Sequence, residues 1–454
     1  MKLNIGTTLD GLPLYLRSSD FATHVHGIGK SQRGKSRLIA YIVRELVKAG
    51  EGVCLIDPHG TLYDMVVNWL AYIDPRLNEI ILFNPSYTEK VVGFNPFRLD
   101  DAKTEERIMT KADRMLEATL RVWGITDTSN APRLERWLRC LFYIVIEQDC
   151  SLEIARYFRG SQHAEVRTRI IQQTKSAFIR EEWEHLVNSR GGLETQLEST
   201  MNKLFKLLVH PTVRRIMGLN ENNIDLADIA DNQKVLLVNL QESESLSEEA
   251  GSIIGTLLLN EISQVIRRRK HRKDFYVIVD EFLKFTTPDM PYILDELAKY
   301  GLHLILFHQR MSKLDTDVRG AMKNADTKII FGGVERREVQ ELLERRYDDE
   351  VIEQTIDHPK RYFTLKRSNQ PLTVGITPLV RKRYVSEDVE QEYIRIKLAA
   401  YLTPQQVDAK LARFAERFTP PAAHVELKGT PRKSPRTQIF NNAPAEISDD
   451  DLFE

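Results

Sequence analysis

Gly29-Lys30-Ser31-Gln32-Arg33-Gly34-Lys35-Ser36 is the stretch on which the reading of this chain turns. Upstream of it, Thr23–Ile28 reads as a strand feeding the loop. Downstream, Arg37–Lys48 carries Leu38, Ile39, Ile42, Val43 and Leu46 at helical spacing and stops at Gly50, a good helix terminator. A strand, a G-x-x-x-x-G-K-S loop and a helix in that order make a P-loop. Gly29 and Gly34 permit backbone conformations in which successive amide N–H groups point inward at phosphates. Lys35 supplies a point charge for the β- and γ-phosphates, and the Ser36 hydroxyl can ligate Mg2+. The helix N-terminus adds its positive end. The candidate nucleotide contacts are this loop together with Arg37, and the expected cofactors are ATP and Mg2+.

A second segment completes such a site. Phe275-Tyr276-Val277-Ile278-Val279 is an apolar strand that ends in Asp280-Glu281. One carboxylate at such an edge serves the metal and its neighbour an attacking water, so Asp280 is the expected Mg2+ partner and Glu281 the general base. Leu302–Phe307 ends in His308-Gln309-Arg310, which makes Gln309 a candidate γ-phosphate sensor at a strand tip. Val53–Ile56 ends in Asp57-Pro58-His59-Gly60. Asp57 either approaches the nucleotide or simply shapes that turn. Lys35, Asp280, Glu281 and Gln309 form the expected catalytic set, with Ser36 and Asp280 on the metal.

Outward from these motifs, strands and helices alternate through Gly60–Leu70 and Glu79–Phe83, the mark of an α/β domain with a mostly parallel sheet. From about residue 101 to Gly218 strand signals vanish and amphipathic stretches follow one another, at Glu105–Val122, Leu134–Glu147, Ala164–Lys175 and Leu193–Leu208. An all-helical insertion over 101–218 is expected, splitting a motor domain into 1–100 and 219–385. The α/β pattern resumes at Val235–Val238, and Ser245-Leu246-Ser247-Glu248 has capping-box form before a helix to Arg267. Strands are expected at Phe275–Val279, Leu302–Phe307 and Lys328–Phe331, with a hairpin over Tyr362–Lys366 and Leu372–Ile376. A charged helical segment fills 386–418, and 419–454, rich in Pro, Ser and Asn and closing in acids, is expected to be a disordered tail.

Bulk composition bounds the class of protein. The chain has 454 residues, 42% hydrophobic and 28% charged, with a net charge of −1, so a nucleic-acid surface would have to be local. Two basic runs qualify: Arg267–Lys273, which precedes the Asp280 strand at the edge opposite the nucleotide, and Arg381-Lys382-Arg383. Either is equally readable as a solvated loop. Cys54, Cys140 and Cys150 are scattered without metal-ligand spacing, which fits a reducing cytosol. His24 and His26 read as ordinary strand residues. The apolar runs are far shorter than the ~20 residues that span a bilayer, so no direct membrane insertion is expected, only peripheral contact through a partner.

Taken in order, the motifs resemble the HerA/FtsK superfamily. They are His24-Val25-His26-Gly27 into the loop, Leu55–Gly60, Asn95-Pro96-Phe97, Asn202-Lys203-Leu204, Val279–Phe282, His308-Gln309, and Asn324 before Lys328–Phe331. The resemblance covers about residues 20–335 and is nearest the conjugative coupling ATPases of the TraD/TraG type. It implies a RecA-like motor, hexameric rings with ATP at subunit interfaces, and DNA drawn through a central channel. It also implies a relaxosome-facing helical insertion and an acidic tail that meets DNA-processing partners. Membrane-anchored coupling proteins carry transmembrane helices, and HerA a β-barrel, ahead of the motor; neither is seen here. A trans-acting arginine is expected from Arg214, Arg215, Arg336 or Arg337, since none is clearly placed at the chain's own γ-phosphate. The expected function is a cytoplasmic DNA translocase in conjugative or mobile-element transfer. Alternatives are a HerA-like motor paired with a nuclease, and an ATP-switched docking factor without translocation.

Overall fold

Parallel strands buried on both faces form the centre of an eleven-stranded sheet. The strands are β1 (Lys2–Thr8), β2 (Pro13–Arg17), β3 (Val25–Ile28), β4 (Gly52–Asp57), β5 (Ile80–Phe83), β6 (Val235–Asn239), β7 (Phe275–Val279), β8 (Leu302–His308), β9 (Thr327–Phe331), β10 (Tyr362–Lys366) and β11 (Thr373–Ile376). Their order across the sheet is β2-β1-β11-β10-β9-β3-β8-β7-β4-β6-β5. From β9 to β5 every neighbouring pair is parallel; from β9 to β2 every pair is antiparallel. The computed structural model describes residues 1–418 apart from 74–78, 100–101, 126–128, 130, 190–191, 220–221, 270, 287–288, 345 and 369. The expected disordered tail at 419–454, and Lys270 of the first basic run, lie outside the described residues.

The parallel core is where the sequence is most apolar: β4, β6, β7, β8 and β9 are buried along their whole length. Helices cover its faces, as parallel sheets require. Between β5 and β6 the chain forms the expected run of helices: Glu105–Val122, Pro132–Glu147, Ala164–Gln173, Ala177–Val187, Gly192–Leu208 and Pro211–Gly218. Helix Glu105–Val122 rests on helix Glu248–Arg268, pinned by Lys111 against Glu261 at 2.7 Å.

One local reading needs correction, and two stretches gain detail. Ahead of the P-loop strand, β1 and β2 form a hairpin that joins the sheet through β11. Helix Glu248–Arg268 is capped by Ser247, whose Oγ accepts from Ala250 N at 3.2 Å, not by a box starting at Ser245. Ser243 and Leu246 instead close a tight bridge that holds Ser245 outside the helix. The C-terminal charged segment is two helices, Glu387–Leu398 and Pro404–Glu416. The latter is tied to the insertion by the forked pair Arg215–Asp408 at 2.8 and 2.7 Å.

Candidate functional site

Because β3, β8, β7 and β4 are adjacent and parallel, their C-terminal ends lie side by side. Ile28 is level with His308, and Val279 with Ile56 and Leu306. The loops leaving these strands therefore open into one cleft. Ser31, Gln32, Gly34, Lys35, Ser36 and Arg37 line it from the P-loop. Asp280, Glu281, Gln309 and His59 enter from the neighbouring strand ends. Four segments up to 280 residues apart in sequence are gathered by strand order alone.

The P-loop backbone has the conformation its glycines allow. Gly34 sits at φ +115° as the N-cap of helix Lys35–Lys48, with no side chain capping the helix. The first amides of that helix are left for a ligand, the usual basis of anion binding there. A β-carbon on Gly34 would lie 3.1 Å from Arg361 Cα, and one on Gly29 2.5 Å from Phe331 Cβ. Gly34 needs glycine for conformation as well as space, and Gly29 for space.

Lys35 is buried and donates to Glu281 Oε1 at 3.0 Å and to the His308 carbonyl at 3.3 Å. The P-loop cation is thus paired with the carboxylate expected to act as base. Strand alternation would send Asp280 and Glu281 to opposite faces. Glu281 instead adopts left-handed backbone, φ 49° and ψ 48°, and both side chains reach the cleft. Asp280 is buried and accepts from Glu281 N at 3.1 Å. Burial pushes its carboxyl up to about 7; Lys35 opposes the rise, while Asp57 and Glu281 add to it. A buried carboxyl held this way beside an available hydroxyl, Ser36, suits a divalent cation.

Asp57 belongs to its own turn. Its two oxygens accept from His59 N at 2.9 Å, Leu62 N at 2.8 Å and Tyr63 N at 2.9 Å, capping helix Thr61–Ile73. Burial still raises its carboxyl, and those N–H groups oppose the rise. Gln309 lines the cleft as expected. Lys30 and Arg33 do not: Arg33 turns outward to donate to the His358 carbonyl at 3.2 Å. Among the described residues no cluster of histidine, cysteine and acid could hold a metal. His26 and His308 stack, their Nε2 atoms 2.6 Å apart in the core, and His24 accepts from Leu304 N at 3.0 Å. The three cysteines are free and buried.

Sequence reasoning missed Lys360 and Arg361 and named Lys382 only as part of a basic run. Lys360 and Arg361 precede β10, Lys382 follows β11, and all line the cleft. Arg361 N donates to the Arg33 carbonyl at 2.8 Å, so the hairpin β10–β11 is docked on the P-loop. Its guanidinium donates to the Thr377 carbonyl at 3.1 and 2.9 Å. The chain therefore places Arg361 at its own cleft beside Arg37, the one arginine past the loop already expected there. Only the run at 381–383 hinted at a basic wall, because nothing local says where a hairpin will dock.

This fold and cleft are those of a P-loop NTPase, and comparison with known proteins gives the family. The chain belongs to the family described as "Helicase HerA, central domain", whose model matches residues 3–262. The conjugative plasmid coupling protein TrwB, solved with ADP and Mg2+, is similar in fold: 14% identity over 85% of this chain and 91% of that one, TM-score 0.57. An unbound form of TrwB matches with TM-score 0.55 at 14% identity, over 84% and 91% of the two chains. VirB4 of Thermoanaerobacter pseudethanolicus matches with TM-score 0.52 at 12% identity, over 84% and 97%. Among curated proteins none matches the sequence. Among the described residues no helix is long and apolar enough to cross a membrane.

Proposed function

We propose that this chain is a Mg2+-dependent ATPase that assembles into a ring, a hexamer by its family resemblance, and moves DNA. The observation that carries the reading is the meeting of Lys35, Ser36, Asp280, Glu281 and Gln309 in one cleft at the C-terminal edge of the sheet. In this scheme the amides of Gly29–Arg37 wrap the phosphates. Lys35 leaves Glu281 for the γ-phosphate, and the freed carboxylate orients a water for attack. Ser36 and Asp280 would hold Mg2+, which neutralises charge on the phosphates when bound. Gln309 reports the γ-phosphate from the tip of β8.

Conjugative or mobile-element DNA transfer is the favoured setting, supported by the fold shared with the coupling protein TrwB and with VirB4. A motor working with a nuclease is the second reading, favoured by the match to the HerA central domain itself. The test is steady-state hydrolysis with and without DNA for the wild type and Lys35→Ala. The variant should stay folded and lose hydrolysis, while the wild type should be stimulated by DNA. Full activity in Lys35→Ala would remove the site assignment; hydrolysis indifferent to DNA would remove the motor.

A further inference from the structure

The segment that leaves β11 is a strap tied at both ends beside the nucleotide cleft. Its first tie is at the foot of β10. Thr377 N donates to the Arg361 carbonyl at 2.9 Å, and the Thr377 carbonyl accepts from the Arg361 guanidinium at 3.1 and 2.9 Å. The second tie is to helix Thr61–Ile73. Tyr384 N and Val385 N donate to Asn68 Oδ1 at 2.6 and 3.3 Å, and Asn68 Nδ2 donates to the Val385 carbonyl at 3.2 Å. The Tyr384 hydroxyl also accepts from Arg44 of the P-loop helix at 2.9 Å. Between these ties, residues 378–382 make no hydrogen bond or ion pair among the described residues. The exposed Lys382 belongs to that free stretch and lines the nucleotide cleft with Arg37 and Arg361.

Strand order fixes which side of the cleft the strap serves. β3, which feeds the P-loop, has β8 and then β7 on one flank and β9 and then β10 on the other. Glu281 and Gln309, expected at the γ-phosphate, follow β7 and β8. Lys35 already leans that way, toward Glu281 and the His308 carbonyl. Lys360, Arg361 and Lys382 enter from the opposite flank, at the ends of the β10–β11 hairpin. A triphosphate wrapped by the loop, with its γ-phosphate at Glu281, therefore has its α-phosphate end on the hairpin's flank. The acids among the described lining residues, Asp280 and Glu281, both follow β7, whereas Lys360 and Lys382 make no hydrogen bond or ion pair among the described residues. An ammonium on a flexible, solvated stem beside a phosphate site suits an anionic ligand.

We propose that Lys382 is a nucleotide-binding residue, carried by the strap, whose ammonium holds the α-phosphate end of ATP from within the same chain. This role rests on the P-loop cleft being the ATP site. Both ties of the strap reach elements of the loop itself. Arg361 N donates to the Arg33 carbonyl at 2.8 Å, and Arg44 stands on the helix that the loop opens. The strap is thus held within reach of the phosphates while its middle follows the ligand.

The test compares Lys382→Met, which keeps the stem and removes the charge, with Arg381→Ala, which removes a charge from the same strap outside the cleft lining. Equilibrium binding of ATP and of ADP, and steady-state hydrolysis without DNA, are measured on the full chain, with Lys382→Arg and Lys35→Ala alongside. Lys382→Met should bind both nucleotides at least ~10-fold more weakly than Arg381→Ala, as for a lost charged hydrogen bond, and by the same factor for each. The loss should fall on KM rather than on kcat, the mark of binding that ground and transition states share. Lys382→Arg should recover most of the affinity. Affinities in Lys382→Met equal to those of Arg381→Ala overturn the role of Lys382, and a loss of ATP binding in Lys35→Ala then leaves the ATP site standing. If Lys35→Ala binds ATP as the wild type does, the ATP site is misplaced and the role of Lys382 falls with it. A loss for ATP alone, with ADP bound as in Arg381→Ala, puts the lysine at the γ-phosphate and overturns the α-phosphate assignment. Lys382→Arg binding no tighter than Lys382→Met also overturns it, because charge would not be what the site uses.

Discussion

The 3.0 Å pair between Lys35 and Glu281 sets the chemistry of single residues in this protein. In the proposed scheme ATP takes Lys35 from Glu281, so the carboxylate would oppose binding even as it promotes attack. Glu281→Gln keeps the shape and removes the charge. It should bind ATP at least as tightly as the wild type and hydrolyse it ~10²–10⁴-fold more slowly. Equilibrium binding beside single-turnover rates measures both, and a variant that cannot bind ATP would make Glu281 a nucleotide ligand instead of a base. The stacked histidines give a second prediction at this scale. Burial holds His308 down to about 4 from its ordinary 6.5 and keeps His26 well below that value. Below pH 6.5 the unfolded chain takes up a proton at His308 that the folded chain refuses until about pH 4. The stability His308 contributes is therefore whole above 6.5 and lost as pH falls, by ~1.4 kcal/mol per pH unit. The difference in urea stability between wild type and His308→Gln should shrink by that slope between pH 6.5 and 5. A difference that ignores pH would mean the imidazole is not held neutral.

Among elements, β3 leaves no room for a side chain at Gly27. It lies between β8 and β9, and a methyl group on Gly27 would overlap the Phe307 ring of its neighbour. Gly27→Ala should therefore cost about 1–3 kcal/mol through overpacking, read as a lower urea midpoint with an unchanged slope. A neutral result would show that Phe307 can move aside freely. The hairpin β10–β11 matters for another reason. It carries Arg361 at φ +80°, docked against Gly34, so a segment more than 320 residues downstream shapes the phosphate loop. Neither strand of that hairpin looks like part of a nucleotide site on its own.

At the scale of the whole molecule, the question is what completes the site. Of the arginines expected to act in trans, Arg214 pairs with Glu153, Arg215 with Asp408, and Arg336 with Asp349 and Glu353. Arg337 is exposed and makes no hydrogen bond or ion pair among the described residues, which leaves it the freest to reach a neighbour. A trans arginine is worth ~10³–10⁵ in rate where one is used. Turnover per subunit should accordingly rise with protein concentration and with DNA, in step with mass measured by light scattering. Arg337→Ala should assemble and bind ATP yet lose most of that rise. Constant turnover from a species that stays monomeric would remove the ring, and with it most of the translocase reading.

The P-loop, the Asp280-Glu281 strand end, Gln309 at a strand tip, the parallel core and the run of helices between β5 and β6 could be read from the order of residues alone. Each is written in short-range spacing: glycines where the backbone must turn, apolar runs where a strand is buried on both faces, a 3.6-residue period where a helix has one dry side. Contacts made across long separations could not be read that way. They include the hold of Glu281 on Lys35, the stacking of His26 on His308, the cations of β10–β11 at the cleft, and the N-terminal hairpin on the sheet. Asp57 could be read either way until its oxygens were seen to be taken by N–H groups of its own turn. The physical reason is common to all of them. Local propensity dictates what a segment becomes, whereas its neighbours follow from strand order, and strand order is settled only when the whole sheet closes its hydrogen bonds and buries its faces.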